Sequence, residues 1–75
     1  MPTIVRIGNI KIQVFADDHN PPHFHVVTPD DEALISIATL EIIRGGLRRR
    51  DLETVVAWAS RNRGTIEDAW FSLNG

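Results

Sequence analysis

Cysteine is absent from this chain. That excludes a disulfide framework, a thiolate metal site and a cysteine nucleophile, and it fits a reducing cytoplasm. Long apolar runs are missing too. None approaches the ~20 residues of a membrane-spanning helix, and the start of the chain lacks a basic segment followed by an apolar core. The expectation is a cytoplasmic protein with no membrane partner. A general excess of basic charge is also missing: the net charge is −2 and the pI about 5.8. Dedicated nucleic-acid binders usually carry an overall basic charge, so nucleic acid is not the favoured partner. Size is the last shortage. Seventy-five residues make one domain that buries roughly 60% of its unfolded surface and is stable by only a few kcal/mol. A partner subunit or a bound ligand would add to that.

The charge that is present is unevenly placed. Residues 1–43 sum to −4 and residues 44–75 to +2, the latter from Arg44, Arg48, Arg49, Arg50, Arg61 and Arg63 against four carboxylates. Apolar spacing divides the chain at about the same place. Ile4, Val5 and Ile7 are followed by Gly8-Asn9, a pair suited to a type II′ or I′ hairpin turn. Ile10, Ile12, Val14 and Ala16 then alternate with Lys11, Gln13 and Phe15, as a half-buried strand does. Residues 3–7 are therefore expected to pair with 10–16. Asp17-Asp18-His19-Asn20-Pro21-Pro22 reads as a loop, because proline donates no ladder hydrogen bond and turns its predecessor away from the helical region. A third strand is expected at about 23–28, a turn at Pro29-Asp30-Asp31, and a fourth strand around Ala33–Ile37. Strand four is apolar on both faces, which suits a central position. A short fifth strand at about 41–43 fits if the chain turns near Ala38–Leu40, and Gly45-Gly46 ends the β region.

The remainder is helical. Leu52, Val55, Val56 and Ala59 follow an i, i+3, i+4, i+7 pattern, and so do Ile66, Ala69, Trp70 and Leu73. Asp51 suits the N-cap, or the first turn if the helix starts nearer Arg48. Gly64 fits a C′ position, and Thr65 with Asp68 resembles a capping box. Strands followed by helices imply an α+β fold: an antiparallel sheet of four strands, or five, followed by two C-terminal helices packed on one face. Residues 1–75 form a single domain, with a sheet region at 1–44 and a helical region at 47–75. Phe15, Phe24, Phe71, Trp58 and Trp70 are read mainly as core, with Trp58 to one side of the stripe.

All three histidines, His19, His23 and His25, fall in one seven-residue stretch. Positions i and i+2 of a strand share a face, so His23 and His25 are expected side by side opposite Phe24, with His19 folding back toward them. Imidazole is a common ligand for zinc, copper, nickel and iron. His19, His23 and His25, with carboxylates such as Asp17, Asp18 and Glu32, are thus candidate ligands for a divalent metal. The spacing is not that of a structural zinc site, and a plainer assignment has His19 and His23 hydrogen-bonding the proline loop. A histidine also serves as a general acid or base. However, the alternation found in histidine-triad hydrolases is broken here by Val27. Arg48, Arg49 and Arg50 are a candidate anion- or partner-binding cluster, which Arg44 extends. Three successive helical residues spread over about 200°, and cations at a helix N-terminus oppose its dipole, so a solvated turn is the alternative.

The opening Met1-Pro2-Thr3-Ile4, the string His19-Asn20-Pro21-Pro22-His23-Phe24-His25-Val26, and the pair Trp58 and Trp70 resemble the bacterial family called domain of unknown function 4160. The likeness covers nearly the whole chain. The Pro-Pro-His-Phe-His string is its most specific element, and Asp18 matches an acidic residue before the first histidine. Where this chain has Thr39-Leu40-Glu41, the family often has a glycine-containing turn. Members are small, mostly prokaryotic, and without an established activity. The resemblance implies a link, by genetic neighbourhood, to toxin–antitoxin-like modules.

Two functions from different classes follow. The first is an accessory or interaction domain that binds a protein partner or dimerises, with the histidine loop as a recognition or ligand surface. The second is a metal-dependent or histidine-dependent enzyme acting on nucleotide or RNA through His19, His23 and His25.

Overall fold

A computed structural model describes residues 3–16 and 21–74. Five strands precede two helices: β1 (Thr3–Ile7), β2 (Ile10–Gln13), β3 (His23–Val27), β4 (Glu32–Ser36), β5 (Ile42–Gly45), α1 (Arg49–Arg61) and α2 (Arg63–Asn74). The strands form one antiparallel meander in the order β1-β2-β3-β4-β5. The fold is α+β, as expected, and the fifth strand is present.

Each β connection is held by local chemistry. Ile7 pairs with Ile10 across Gly8-Asn9. Of these two turn residues, only Gly8 has a positive φ, 58°, which fits type II′ rather than I′. After β3, the Thr28 hydroxyl accepts hydrogen bonds from the amides of Asp31 at 2.9 Å and Asp30 at 3.3 Å. The Thr28 amide donates to the Asp31 carbonyl at 2.9 Å. Between β4 and β5 the Ser36 amide donates to Glu41 and the Leu40 amide to Ser36. Leu40 takes the left-handed conformation there, with φ 59°. An L-residue other than glycine usually avoids this region at a cost of about 1–2 kcal/mol. Leu40 keeps it while its side chain packs against the core, so the β4–β5 turn forms without the glycine that the resemblance leads one to expect.

Strand β5 extends through Gly45, which pairs with Ala33. Gly45 therefore belongs to the sheet and does not end it. It leaves no room for a side chain. Its φ is +77°, and a Cβ there would run into the carbonyl oxygen of Glu32 and come within 3.1 Å of the Ala33 Cα. β4 lies inside the sheet, between β3 and β5, as its two apolar faces suggest.

The core lies between one sheet face and the helices. Ile10, Ile12, Val14, Phe24, Val26, Ile35 and Ile37 meet Val55 and Ala59 of α1 and Ile66 and Trp70 of α2. Trp58 is half-buried and packs against this core. Phe71 does not belong to it: it is 59% exposed, because each helical residue turns about 100° from its neighbour and Trp70 occupies the inward position.

The helix boundaries differ from the expected caps. α1 begins at Arg49, with Arg48 as N-cap and Asp51 in the first turn. Its last residue, Arg61, is separated from α2 by Asn62 alone. Gly64 and Thr65 consequently lie in the first turn of α2, so they are neither a C′ residue nor an N-cap. Asn62 serves both helices. Its amide donates to Ala59 at 3.1 Å, its side-chain amide donates to the Trp58 carbonyl at 2.9 Å, and its carbonyl accepts from Ile66 at 3.2 Å.

Candidate functional site

Strand β3 sets the geometry of the histidines. It pairs in continuous register with β2 (Gln13 opposite His25) and with β4 (His23 opposite Ser36, His25 opposite Leu34). No bulge interrupts it, so alternation sends Phe24 and Val26 into the core and places His23 and His25 on the other face. The two imidazole rings stand 5.3 Å apart between centroids.

Their surroundings differ. His23, 6% exposed, is packed between His25 and the Trp70 ring, whose centroid lies 5.1 Å away. Its Nδ1 lies 2.8 Å from the Pro21 carbonyl. A carbonyl can only accept, so Nδ1 carries a proton, and in the neutral ring the lone pair is on Nε2. His25 is half-buried and meets the Phe15 ring edge-to-face at 4.3 Å. The backbone around the pair is tied down from two sides. The Ile37 amide donates to the Pro22 carbonyl at 3.1 Å, and the Asn74 side chain, at the end of α2, donates to the Phe15 carbonyl at 3.0 Å. The prolines and the second helix thus orient the two rings jointly.

Asp17, Asp18, His19 and Asn20 lie outside the described residues. Among the described residues, no group of three histidine or carboxylate side chains gathers around a position for a metal ion. His23 and His25 supply two imidazoles, so a third protein ligand at this place would come from beyond the described residues, where Asp17, Asp18 and His19 are the candidates. The backbone hydrogen bond at His23 Nδ1 is the kind of outer contact that orients a ligating imidazole.

The arginine cluster is elsewhere. Arg48 pairs with Asp30 of the β3–β4 turn at 3.1 Å, and Arg49 with Glu53 at 3.4 Å, one helical turn on. Both pairs are exposed and contribute about 0–1 kcal/mol each. Arg48 and Arg50 help line a cavity of about 380 Å³ together with the Gly8-Asn9 turn and Thr28. This cavity and the His23 end of β3 are at opposite ends of the sheet. Arg44 does not extend the cluster. It sits opposite Leu34 in β5 and borders a cavity of about 360 Å³ with His25, Glu32 and Leu34.

Arg44, Leu34, His25 and Gln13 therefore form one row across β5, β4, β3 and β2. The row is not legible in the sequence, because its members are separated by up to 31 positions. The alternation of Lys11 and Gln13 against Ile10 and Ile12 was the available signal, and pairing register supplies the rest.

Neither the curated proteins nor the solved structures contain a match to this chain. A family model described as a domain of unknown function (DUF4160) matches residues 9–71. That span includes β2 to β5, α1, α2 as far as Phe71 and the entire histidine segment, and the chain accordingly belongs to the DUF4160 family.

Proposed function

We propose that this is a cytoplasmic accessory domain that works by binding a protein partner, as one component of a toxin–antitoxin-like pair. The observation that carries the proposal is the one-sided layering. Both helices pack on one face of the sheet, while the face bearing His25, Leu34 and Arg44 borders a cavity with no covering layer among the described residues. The edge strand β5 adds Ile43, 46% exposed, and exposed edges invite pairing with another chain. No helix among the described residues is long and apolar enough to cross a membrane. Arg48, Arg49 and Arg50 supply a polar rim at the far end, of the kind that raises encounter rates with an acidic partner.

The expected result is a stoichiometric protein partner, or a homodimer at micromolar concentration in sedimentation. Gentle isolation of the tagged chain from its native host, followed by cross-linking, checks this. A monomer with no co-purifying protein would sink the proposal.

The paired rings of His23 and His25 favour a second reading, an enzyme acting on nucleotide or RNA through His19, His23 and His25, with a divalent metal held there. In that case zinc or nickel is expected to raise the melting temperature of the wild type and not of His25→Ala. Equal shifts in both proteins, or none in either, remove the metal.

A further inference from the structure

Beyond His23, which Trp70 covers, the sheet face opposite the core carries a charge opposite to that of the chain. Register places Arg6 directly opposite Lys11 on this face, since their neighbours Val5, Ile7, Ile10 and Ile12 all pack with the core. Lys11 is followed across β3 and β4 by Val27 and Glu32. In the parallel row, Arg44 follows Leu34 and His25. The strands thus present three permanent cations here against one carboxylate, Glu32, in a chain whose net charge is −2.

These cations are also placed at a local cost. Like charges directly opposite in an antiparallel pair destabilise it, as Arg6 and Lys11 do. Arg48 and Arg49 each have an acidic partner, whereas among the described residues no carboxylate pairs with Arg6, Lys11 or Arg44. Between the cations, half-buried Val27 and Leu34 supply an apolar strip of the floor beside His25. Two hollows of about 360 Å³ each flank it, one bordered by Arg6, Lys11, Val27 and Thr28, the other by His25, Leu34 and Arg44. At a strand spacing of about 4.8 Å, the cations of β1 and β5 are about 19 Å apart, the length of a peptide of roughly six extended residues.

We infer that this face binds an extended, acidic segment of a protein partner, with carboxylates meeting Arg6, Lys11 and Arg44 and apolar side chains resting on Val27 and Leu34. The inference rests on the protein-binding function proposed above and names the partner's chemistry. A single-stranded nucleic acid is the less suited occupant. The Val27 and Leu34 side chains suit aliphatic groups rather than bases, and the Phe15 ring is already engaged by His25, whereas single-stranded binders offer open aromatic faces for stacking.

The test uses the full chain and a fluorescein-labelled twelve-residue peptide of alternating glutamate and leucine, with a lysine–leucine peptide and a twelve-nucleotide oligouridylate as comparisons. The acidic peptide is expected to bind best at low salt, with amide shifts at Lys11, His25, Leu34 and Arg44. The combined variant Arg6→Gln, Lys11→Gln, Arg44→Gln is expected to bind about tenfold or more weakly while melting no lower than the wild type. Neutralising Arg49, Arg61 and Arg63 in the helical layer removes the same number of cations and is expected to leave binding unchanged. Equal weakening by the two variants, tighter binding of the oligouridylate, or a lowered melting temperature in the sheet variant overturns the assignment. A host partner retained equally by wild type and sheet variant leaves protein binding standing and removes this face as its site.

Discussion

Gly45→Ala is expected to lower the stability of the domain by about 3 kcal/mol. About 1–2 kcal/mol comes from forcing an L-residue into the left-handed region at φ +77°. The rest comes from the new methyl group meeting the Glu32 carbonyl oxygen. That oxygen belongs to the backbone of β4 and cannot rotate aside, so β5 must move off β4 or the backbone must distort. For a domain of this size, about 1 kcal/mol corresponds to about 4–8 °C in melting temperature; a fall of at least 12 °C is therefore expected in a circular-dichroism melt. Gly46→Ala is the matched control. A Cβ at Gly46 meets nothing within 4 Å, and its effect should stay within about 0.5 kcal/mol. Equal melting of the two variants would show that β5 does not lie against β4 as described.

Phe24→Ala is expected to cost more, about 3–5 kcal/mol, as large-to-small changes in closed cores do. Phe24 is fully buried among Ile12, Ile35, Ile66 and other core residues, and its neighbours on both sides are the two histidines. A domain stable by only a few kcal/mol would lose most of its folded population at 37 °C. Phe71→Ala removes the same atoms from an exposed position and should change stability by less than about 0.5 kcal/mol. A Phe24→Ala variant that still melts within a few degrees of the wild type would overturn the packing. If the loss is seen, loss of binding in Phe24→Ala says nothing about the histidines themselves, and His25→Ala becomes the informative substitution.

The legible parts of the chain were those whose periodicity survives intact. Residues 10–14 alternate strictly, and Ile12 and Val14 are buried as that alternation requires. The pairing of His23 with His25 was legible because β3 has no bulge. β5 was hard to place because its register shifts opposite Leu34 and Ile35, and because Gly45 resembles punctuation while serving as a ladder residue. Phe71 is core-like by residue type alone, but its angle on the helix turns it to solvent. Gly64 and Thr65 suggested a cap and a box, but a one-residue connection leaves room for neither. The open-face cations Arg6, Lys11 and Arg44 were individually visible, yet only strand pairing brings them onto one surface.

The single residue between the helices has a further consequence. One added or deleted residue at Asn62 would rotate all of α2 by about 100° and shift it by about 1.5 Å along its axis. Ile66 and Trp70 would swing away from the sheet together, and Trp70 would leave the side of His23. The joint therefore acts as a phase lock: it tolerates changes of side chain far better than changes of length. The Thr28–Asp31 and Ile37–Glu41 turns join antiparallel strands at the sheet's ends and transmit no such rotation, so length variation belongs there. The packing around His23 is in this sense metered at the joint between the helices, by counting residues rather than by any contact Asn62 makes with the ring.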